Sequence, residues 1–288
     1  MTTLFEKDDG NAGLEELEAA IRKSQLRLRM RERASAILSP LAAIVALIAI
    51  WELLTRLFDV PTYLIPRPGL VALALSEHFE LILKESWVTT SEILLGYALS
   101  IVVGIPLALA IFLWPPFARA VYPLLVSSQA MPKVAVAPLL IVWFGFGLLP
   151  KVLIAFLIAF FPIVINTVVG LAAIEQEKIL LARSMGMNGA ATFFKIRLPN
   201  ALPSIFGGLK ISITLAVVGA VVGEFVGGNG GLGYQLMVAN GSMDTPLLFA
   251  GLIALTVLGI VFFMLVEVVE RLCVRHRSMG TAGARESM

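Results

Sequence analysis

An all-α integral membrane protein is the fold class this sequence predicts, and three observations predict it. Hydrophobic residues fill 58 % of the 288 positions and charged residues 15 %, against about 25 % charged and roughly 45–50 % apolar in a soluble domain. The apolar residues gather into runs of about 20, the length a helix needs to cross a bilayer at 1.5 Å per residue. Lysine and arginine collect in the gaps between alternate runs. Inside lipid only a helix satisfies each backbone donor and acceptor within its own segment, so the runs are helices.

About six transmembrane helices follow in order, at 37–58, 90–113, 124–147, 152–173, 205–227 and 247–269. They form one bundle, because no long soluble module separates them. Residues 1–36 read as a cytoplasmic tail, acidic over the first 20 positions and dominated by arginine over 21–35. Its helix formers and i,i+4 pairs such as Glu18 with Arg22 predict a helix whose basic end meets anionic headgroups. The opening segment lacks the apolar core of a signal peptide, which keeps the amino terminus in the cytoplasm. In the first span, 37–58, Glu52 and Arg56 stand four apart on one face and predict a local salt bridge.

Orientation follows from the basic residues. Arg22, Lys23, Arg27, Arg29, Arg31 and Arg33 precede the first span. Lys178, Arg183, Lys195 and Arg197 lie between the fourth and fifth, and Arg271, Arg275 and Arg277 follow the sixth. With an even number of spans these clusters share one side, so both termini, the 174–204 loop and the 271–288 tail are expected in the cytoplasm. The 59–89 segment and the glycine-rich 227–246 loop are expected outside.

The third span is irregular. Pro123, Pro132 and Pro138 interrupt it, and proline inside a helix removes a backbone hydrogen bond. Residues 117–131 read as a partly interfacial helix, with the crossing itself from about Val134 to Phe146. Broken backbone at membrane depth is tolerated only when buried in protein or lining a cavity, so 117–147 is either a pathway element or a packing kink. Pro132 and Lys133 at the break are the pathway candidates. Lys133 either attracts an anionic substrate or extends to cytoplasmic headgroups.

Glu224, near the outer end of the fifth span, is the gate candidate. It pairs across a dimer, lines the outer gate, or bonds the glycine turn that follows. Asn166 is expected to hydrogen-bond between helices, and Lys210 to reach lipid phosphate. Gly96, Gly104, Gly170, Gly207 and Gly208 are expected to permit close helix approach.

Several chemistries are excluded. Cys273 is the single cysteine, and the two histidines, His78 and His276, are far apart in sequence. No metal cluster or histidine-based triad is expected, and no catalytic residue. No G-x-x-x-x-G-K-[ST] phosphate loop occurs. The stretch Gly227 to Tyr234 lacks the lysine of that motif and reads as a tight re-entrant turn at the outer mouth. No cofactor is expected, and any ATP must be bound by another chain.

The stretch LLARSMGMNGAATFFKIRLP, Leu180 to Pro199, is polar and apolar together between two spans. Gly186 is suited to stop one helix, and Asn188 to cap a second over about Gly189 to Arg197. Pro199 disfavours helix at Leu198 and should redirect the chain toward the fifth span. Met185, Met187, Phe193 and Phe194 would then be displayed as an exposed apolar patch, which marks a protein contact.

From Gly186 the chain runs nine residues to Ile196 and then to Leu198-Pro199. This spacing resembles the EAA loop of permease subunits in bacterial ATP-binding-cassette importers. That pattern is E-A-A, three residues, G, nine residues, I, one residue, L-P. Leu180 and Leu181 stand in place of its glutamate and first alanine, and Ala182 is retained. Over about residues 85–270, WFGFG at 143–147, FPIVINTVVGL at 161–171, LPSIFGGLK at 202–210 and GEFVGGNGGLGY at 223–234 resemble the nitrate, sulfonate, taurine and bicarbonate permease subfamily.

The resemblance implies a MetI-like type I importer transmembrane domain with one additional amino-terminal span. It implies a bacterial inner-membrane permease homodimer importing a small solute of sulfonate or nitrate type. An ATP-binding-cassette ATPase would dock on the coupling loop, and a periplasmic or lipoprotein solute-binding protein would deliver substrate. Ala182, Gly186, Met187, Asn188, Phe193, Phe194, Ile196, Leu198 and Pro199 would be the coupling residues. No nucleic-acid partner is implied.

Two rival readings make different demands. An ATP-independent secondary transporter or channel needs paired inverted halves with polar groups at midplane, and it has no use for a docking loop. An intramembrane enzyme needs convergent acid, base or metal ligands, and the supply of histidine and cysteine argues against it.

Overall fold

The structure, a computed structural model, describes residues 42–274. The predicted tail helix within 1–36, the start of the first span, and Arg275, His276 and Arg277 lie outside the described residues. The chain divides into two units, one ending at Pro68 and the other starting at Gly69. In the first, helix α1 covers 42–57. Its apolar side chains, Leu47, Leu54 and Leu57 among them, are exposed. Arg56 Nε donates to Glu52 Oε1 at 2.5 Å, as the four-residue spacing predicts.

From the boundary at Pro68 onward the chain forms α2 (Pro68–Glu77), α3 (Phe79–Leu113), α4 (Pro115–Ser127), α5 (Ala137–Phe144), α6 (Leu148–Ala172), α7 (Gln176–Ser184), α8 (Gly189–Thr192), α9 (Leu198–Gly227), α10 (Leu232–Gly241) and α11 (Thr245–Val274). Among the described residues, four helical stretches are long and apolar enough to cross a membrane: Phe79–Leu113, Leu148–Ala172, Gly189–Gly227 and Thr245–Val274. A fifth candidate is the pair Pro115–Ala130 and Lys133–Phe144, bent by 87°. Helix α3 starts eleven residues before the predicted position 90, because Glu80, Lys84 and Glu85 depress the hydropathy of a stretch that is helical all the same.

Of the three prolines in the third span, Pro132 alone makes the break. Pro123 sits inside α4, and Pro138 lies in the first turn of α5, where the missing N–H costs nothing. Pro132 instead holds Met131 extended at φ −75° and ψ 126°, the conformation a following proline favours. Short 3₁₀ turns at Ser128–Ala130 and Lys133–Val136 flank the bend.

Helices α3, α6 and α9 form the centre of the bundle. Glycines and serines let their backbones approach closely, as lipid-embedded helices require in the absence of a hydrophobic driving force between them. A Cβ on Gly96 would lie 2.5 Å from Ala155 Cβ, and one on Gly208 would lie 2.7 Å from Asn166 Cβ. Ser212 donates to the Ala159 carbonyl across the α6–α9 seam. Gly207 departs from the expectation: nothing lies within 4 Å of its Cβ position, because it faces away from that seam.

Two further side chains differ from expectation. Asn166 Nδ2 donates to Pro162 O of its own helix at 2.8 Å instead of bonding across helices. Lys210 pairs with Glu270 of α11 and lies 5.9 Å from the Phe263 ring centroid, so a neighbouring helix takes the charge instead of lipid phosphate.

Leu198 and Pro199 also depart from the expected break. The chain stays helical from Gly189 to Gly227, with Leu198 at φ −59° and ψ −48°. The turn Phe193–Arg197 is π-helical, and Leu198 N–H reaches back to Phe193 O. This wider turn opens the spiral just before Pro199, whose ring would otherwise strike the carbonyl four residues earlier.

Candidate functional site

The loop between α6 and α9 is shaped by local rules. Gly186, at φ +81°, ends α7 in the left-handed conformation that glycine adopts without a Cβ clash. Its N–H donates to Arg183 O at 2.9 Å, and Met187 N–H donates to Ala182 O at 3.1 Å. These two bonds form a Schellman end, which satisfies carbonyls the helix leaves unpaired. Asn188, extended at ψ 168°, caps α8: Ala191 N–H donates to its Oδ1 at 2.7 Å.

The apolar patch is not the one expected. Leu180, Leu181, Met185 and Phe194 are 62–74 % exposed. Phe193 is half-buried against the core around Ile163 and Leu209, with its ring edge-on to Phe194 at 5.2 Å. Met187, Ile196 and Pro199 are half-buried, and Ala182 is buried. Leu198 packs against the same core as Phe193. Two leucines at the front of the loop thus take the display positions that Met187 and Phe193 do not. Arg197 lies 5.0 Å from the Phe112 ring centroid and Lys195 stays exposed.

At the bend between α4 and α5, Ser127, Ser128, Gln129 and Pro132 are exposed and Lys133 is half-buried. Lys133 Nζ donates to Gln129 Oε1 at 2.9 Å and lies 5.7 Å from the Phe161 ring centroid. The ammonium is tied to the bend itself.

Glu224 sits at the far end of α9 from the loop and is fully buried. Thr89 Oγ1 donates to Glu224 Oε1 at 2.6 Å, and Gly233 N–H donates to Glu224 Oε2. The same hydroxyl accepts from Leu232 N–H at 2.8 Å. Glu85 Oε2 accepts from Gly231 N–H at 2.6 Å. Lys151 Nζ donates to Glu92 Oε1 at 2.8 Å and to Gly230 O at 3.0 Å. One backbone group from each of residues 230 to 233 is therefore held by a buried side chain. Gly231, at φ +105°, has no room for another residue: a Cβ there would overlap the Glu224 carboxylate. Among the described residues no group of three His, Cys, Asp or Glu side chains has metal-binding geometry.

Sequence reasoning singled out Glu224 and missed Glu85, Thr89, Glu92 and Lys151. A signal for them exists. Residues 85, 89 and 92 recur at intervals of four and three, which places them on one helical face. Intramembrane charges are costly enough to be noticed wherever they fall.

Comparison with known proteins agrees with this architecture. Residues 92–275 match the family described as binding-protein-dependent transport system inner membrane component. The chain is 41 % identical to the riboflavin transport system permease protein RibX of Chloroflexus aurantiacus, over 80 % of this chain and 86 % of that one. It is 38 % identical to the formylaminopyrimidine transport permease protein ThiX of Halalkalibacterium halodurans, over 83 % and 96 %. It is 32 % identical to the putative aliphatic sulfonates transport permease protein SsuC of Bacillus subtilis, over 81 % and 85 %. Among solved structures, an inward-facing MetNI methionine ABC transporter chain superposes with a TM-score of 0.58 at 21 % identity, covering 68 % of this chain and 98 % of that one. The bundle therefore has the MetI-like importer transmembrane fold. A loop closed by Gly186, a glycine turn held by Glu224 and a match over residues 92–275 converge: this chain belongs to the binding-protein-dependent inner membrane components, the permease subunits of ATP-binding-cassette importers, and is a transport component, not an enzyme.

Proposed function

We propose that this permease works as a homodimer in the bacterial inner membrane, with both termini and the Leu180–Pro199 loop in the cytoplasm. A separate ATPase docks on that loop and binds the ATP, and a solute-binding protein delivers substrate at the other side. This chain itself carries no cofactor. The observation that carries the reading is the exposed patch of Leu180, Leu181, Met185 and Phe194, set on a loop whose central turn is fixed by the Gly186 helix end and the Asn188 cap. With the loop in the cytoplasm, an apolar surface held in one shape is a surface to be covered by protein. Ala182, Met187, Phe193, Ile196, Leu198 and Pro199 support it from beneath.

Replacing Gly186 with valine tests this. A β-branched residue is strained at φ +81°, so the loop must change shape. In membrane vesicles with the ATPase and binding protein, ATP-dependent uptake by Gly186→Val should fall about tenfold or more, with weaker co-purification of the ATPase. Unchanged uptake and unchanged assembly would sink the docking assignment. Uptake in vesicles that lack the ATPase altogether would favour an ATP-independent transporter or channel instead.

For the solute, a small anion of sulfonate type remains our first reading, supported by the SsuC relative and by Lys133 at the bend. A second class is a neutral heteroaromatic vitamin precursor, favoured by the higher identity to RibX and ThiX. Competition for labelled uptake between an alkanesulfonate and a formylaminopyrimidine separates the two. In both readings Pro132 and Lys133 face the pathway.

A further inference from the structure

The glycine turn at 228–231 and the docking loop lie at opposite ends of α9, about 45 Å apart for 30 residues at 1.5 Å each. Between them α6 and α9 are zipped by contacts that leave no room for sliding. A Cβ on Gly170 would lie 2.7 Å from Ser204 Cβ, one on Gly219 would lie 2.5 Å from Ala155 Cα, and one on Gly223 would lie 2.9 Å from Lys151 Cα. Backbones this close behave as one body, since packed cores are bistable and not continuously deformable.

Where the zipper ends, the side chains of Lys151 and Glu224 take over. Lys151 ties the start of α6 to Glu92 of α3 and to Gly230 O. Glu224 ties the end of α9 to Thr89 of α3 and to Gly233 N–H. Glu85 holds Gly231, and Thr89 holds Leu232, the first residue of α10. Burying three carboxyl groups and an ammonium is expensive, and apolar packing of similar volume would stabilise at least as well. What the polar set provides and apolar packing does not is a fixed position for each of four consecutive backbone groups.

We propose that Glu85, Thr89, Glu92, Lys151 and Glu224 are positioning residues that fasten the glycine turn and α10 to the α3–α6–α9 body, so that displacement of the docking loop carries the far mouth with it. This rests on the docking function proposed above. The ATPase would move a lever whose far end is already attached to the mouth, and no separate signal need pass through flexible segments.

The test uses the assembled transporter in proteoliposomes with its ATPase and binding protein. Thr89→Val keeps side-chain shape and removes the hydroxyl that bonds both Glu224 and Leu232; Thr89→Ser keeps the hydroxyl. Solute imported per ATP hydrolysed should fall about tenfold in Thr89→Val, remain near wild type in Thr89→Ser, and fall in the second variant Glu85→Leu. Hydrolysis and co-purification of the ATPase should change little. Spin labels on a Cys273→Ser background report the lever directly, one at Met243→Cys beyond α10 and one at Ser184→Cys in the loop. In the parent both labels shift between nucleotide-free and nucleotide-trapped states. In Thr89→Val the loop label still shifts and the α10 label does not. Equal shifts of the α10 label in both proteins, or a wild-type import ratio in Thr89→Val and Glu85→Leu, would overturn the proposal while leaving the docking function intact. A loop label that stays still in the parent would overturn both. Import falling only in proportion to assembled complex would reduce the cluster to a folding role and overturn the proposal.

Discussion

The two ends of α9 are held in opposite ways. At the Leu198 end the fixing bonds are short in sequence, Met187 to Ala182 and Ala191 to Asn188, and Leu180, Leu181, Met185 and Phe194 face outward. At the Gly227 end the bonds join residues between 9 and 146 positions apart, and the groups that make them are buried. The difference matches the roles proposed for each end. A docking surface keeps its shape through local caps, so that its side chains remain free. The glycine turn draws its anchors from three helices, α3, α6 and α9. Local caps also yield locally, whereas a buried network fails as a unit.

Lys151 is where that contrast is most easily broken. Lys151→Met leaves Glu92 buried without its cation and Gly230 O without its donor. Removing one member of a buried pair costs about 3–5 kcal/mol, and the detergent-solubilised protein should melt well below the parent. The double variant Lys151→Met with Glu92→Leu removes both partners and should recover part of the loss. A double variant that melts lower than either single would show that the pair is not the unit of failure, and the distinction between the ends would lose its basis.

A smaller effect separates two neighbouring glycines on α9. Gly208→Ala places a Cβ 2.7 Å from Asn166 Cβ and 2.8 Å from Pro162 O, and overpacking of this kind costs about 1–3 kcal/mol. Gly207→Ala meets nothing within 4 Å, and exchanging glycine for alanine inside a helix gains about 0.5–1 kcal/mol. Melting temperatures should therefore move in opposite directions. Equal shifts would mean that α6 and α9 are not closely zipped, and the far end would lose its connection to the loop.

The loop was legible in the sequence because its determinants lie within twenty residues of one another: a glycine to end one helix, an asparagine to start the next, and a fixed spacing to Leu198-Pro199. The clamp was not. Glu85 and Thr89 fell before the predicted start of the second span, Lys151 fell in the turn between two spans, and only packing three helices in register brings them to Glu224. Pro199 misled for a related reason. A proline argues for a break from its own geometry, but the π turn at Phe193–Arg197 absorbs it, and that turn depends on Phe193 and Leu198 packing onto the core. Gly207 and Gly208 are adjacent and chemically identical, and only the direction of the neighbouring helix tells them apart.

The mildest prediction tests whether the loop end is as local as its bonds imply. Asn188→Ala removes the acceptor for Ala191 N–H, a loss of about 1 kcal/mol for an N-cap. Amide exchange at Ala191 and Thr192 should speed up about fivefold, the factor that energy corresponds to, if opening is confined to α8. Asn188→Asp keeps the acceptor and should restore protection. The global melting temperature should barely move, since no buried long-range contact is touched. ATPase co-purification should weaken slightly, because Phe194 is carried on the turn that α8 starts. If Asn188→Ala instead lowered the melting temperature as Lys151→Met does, the cap would belong to the same unit of failure as the buried network, and the contrast between the two ends of α9 would be lost.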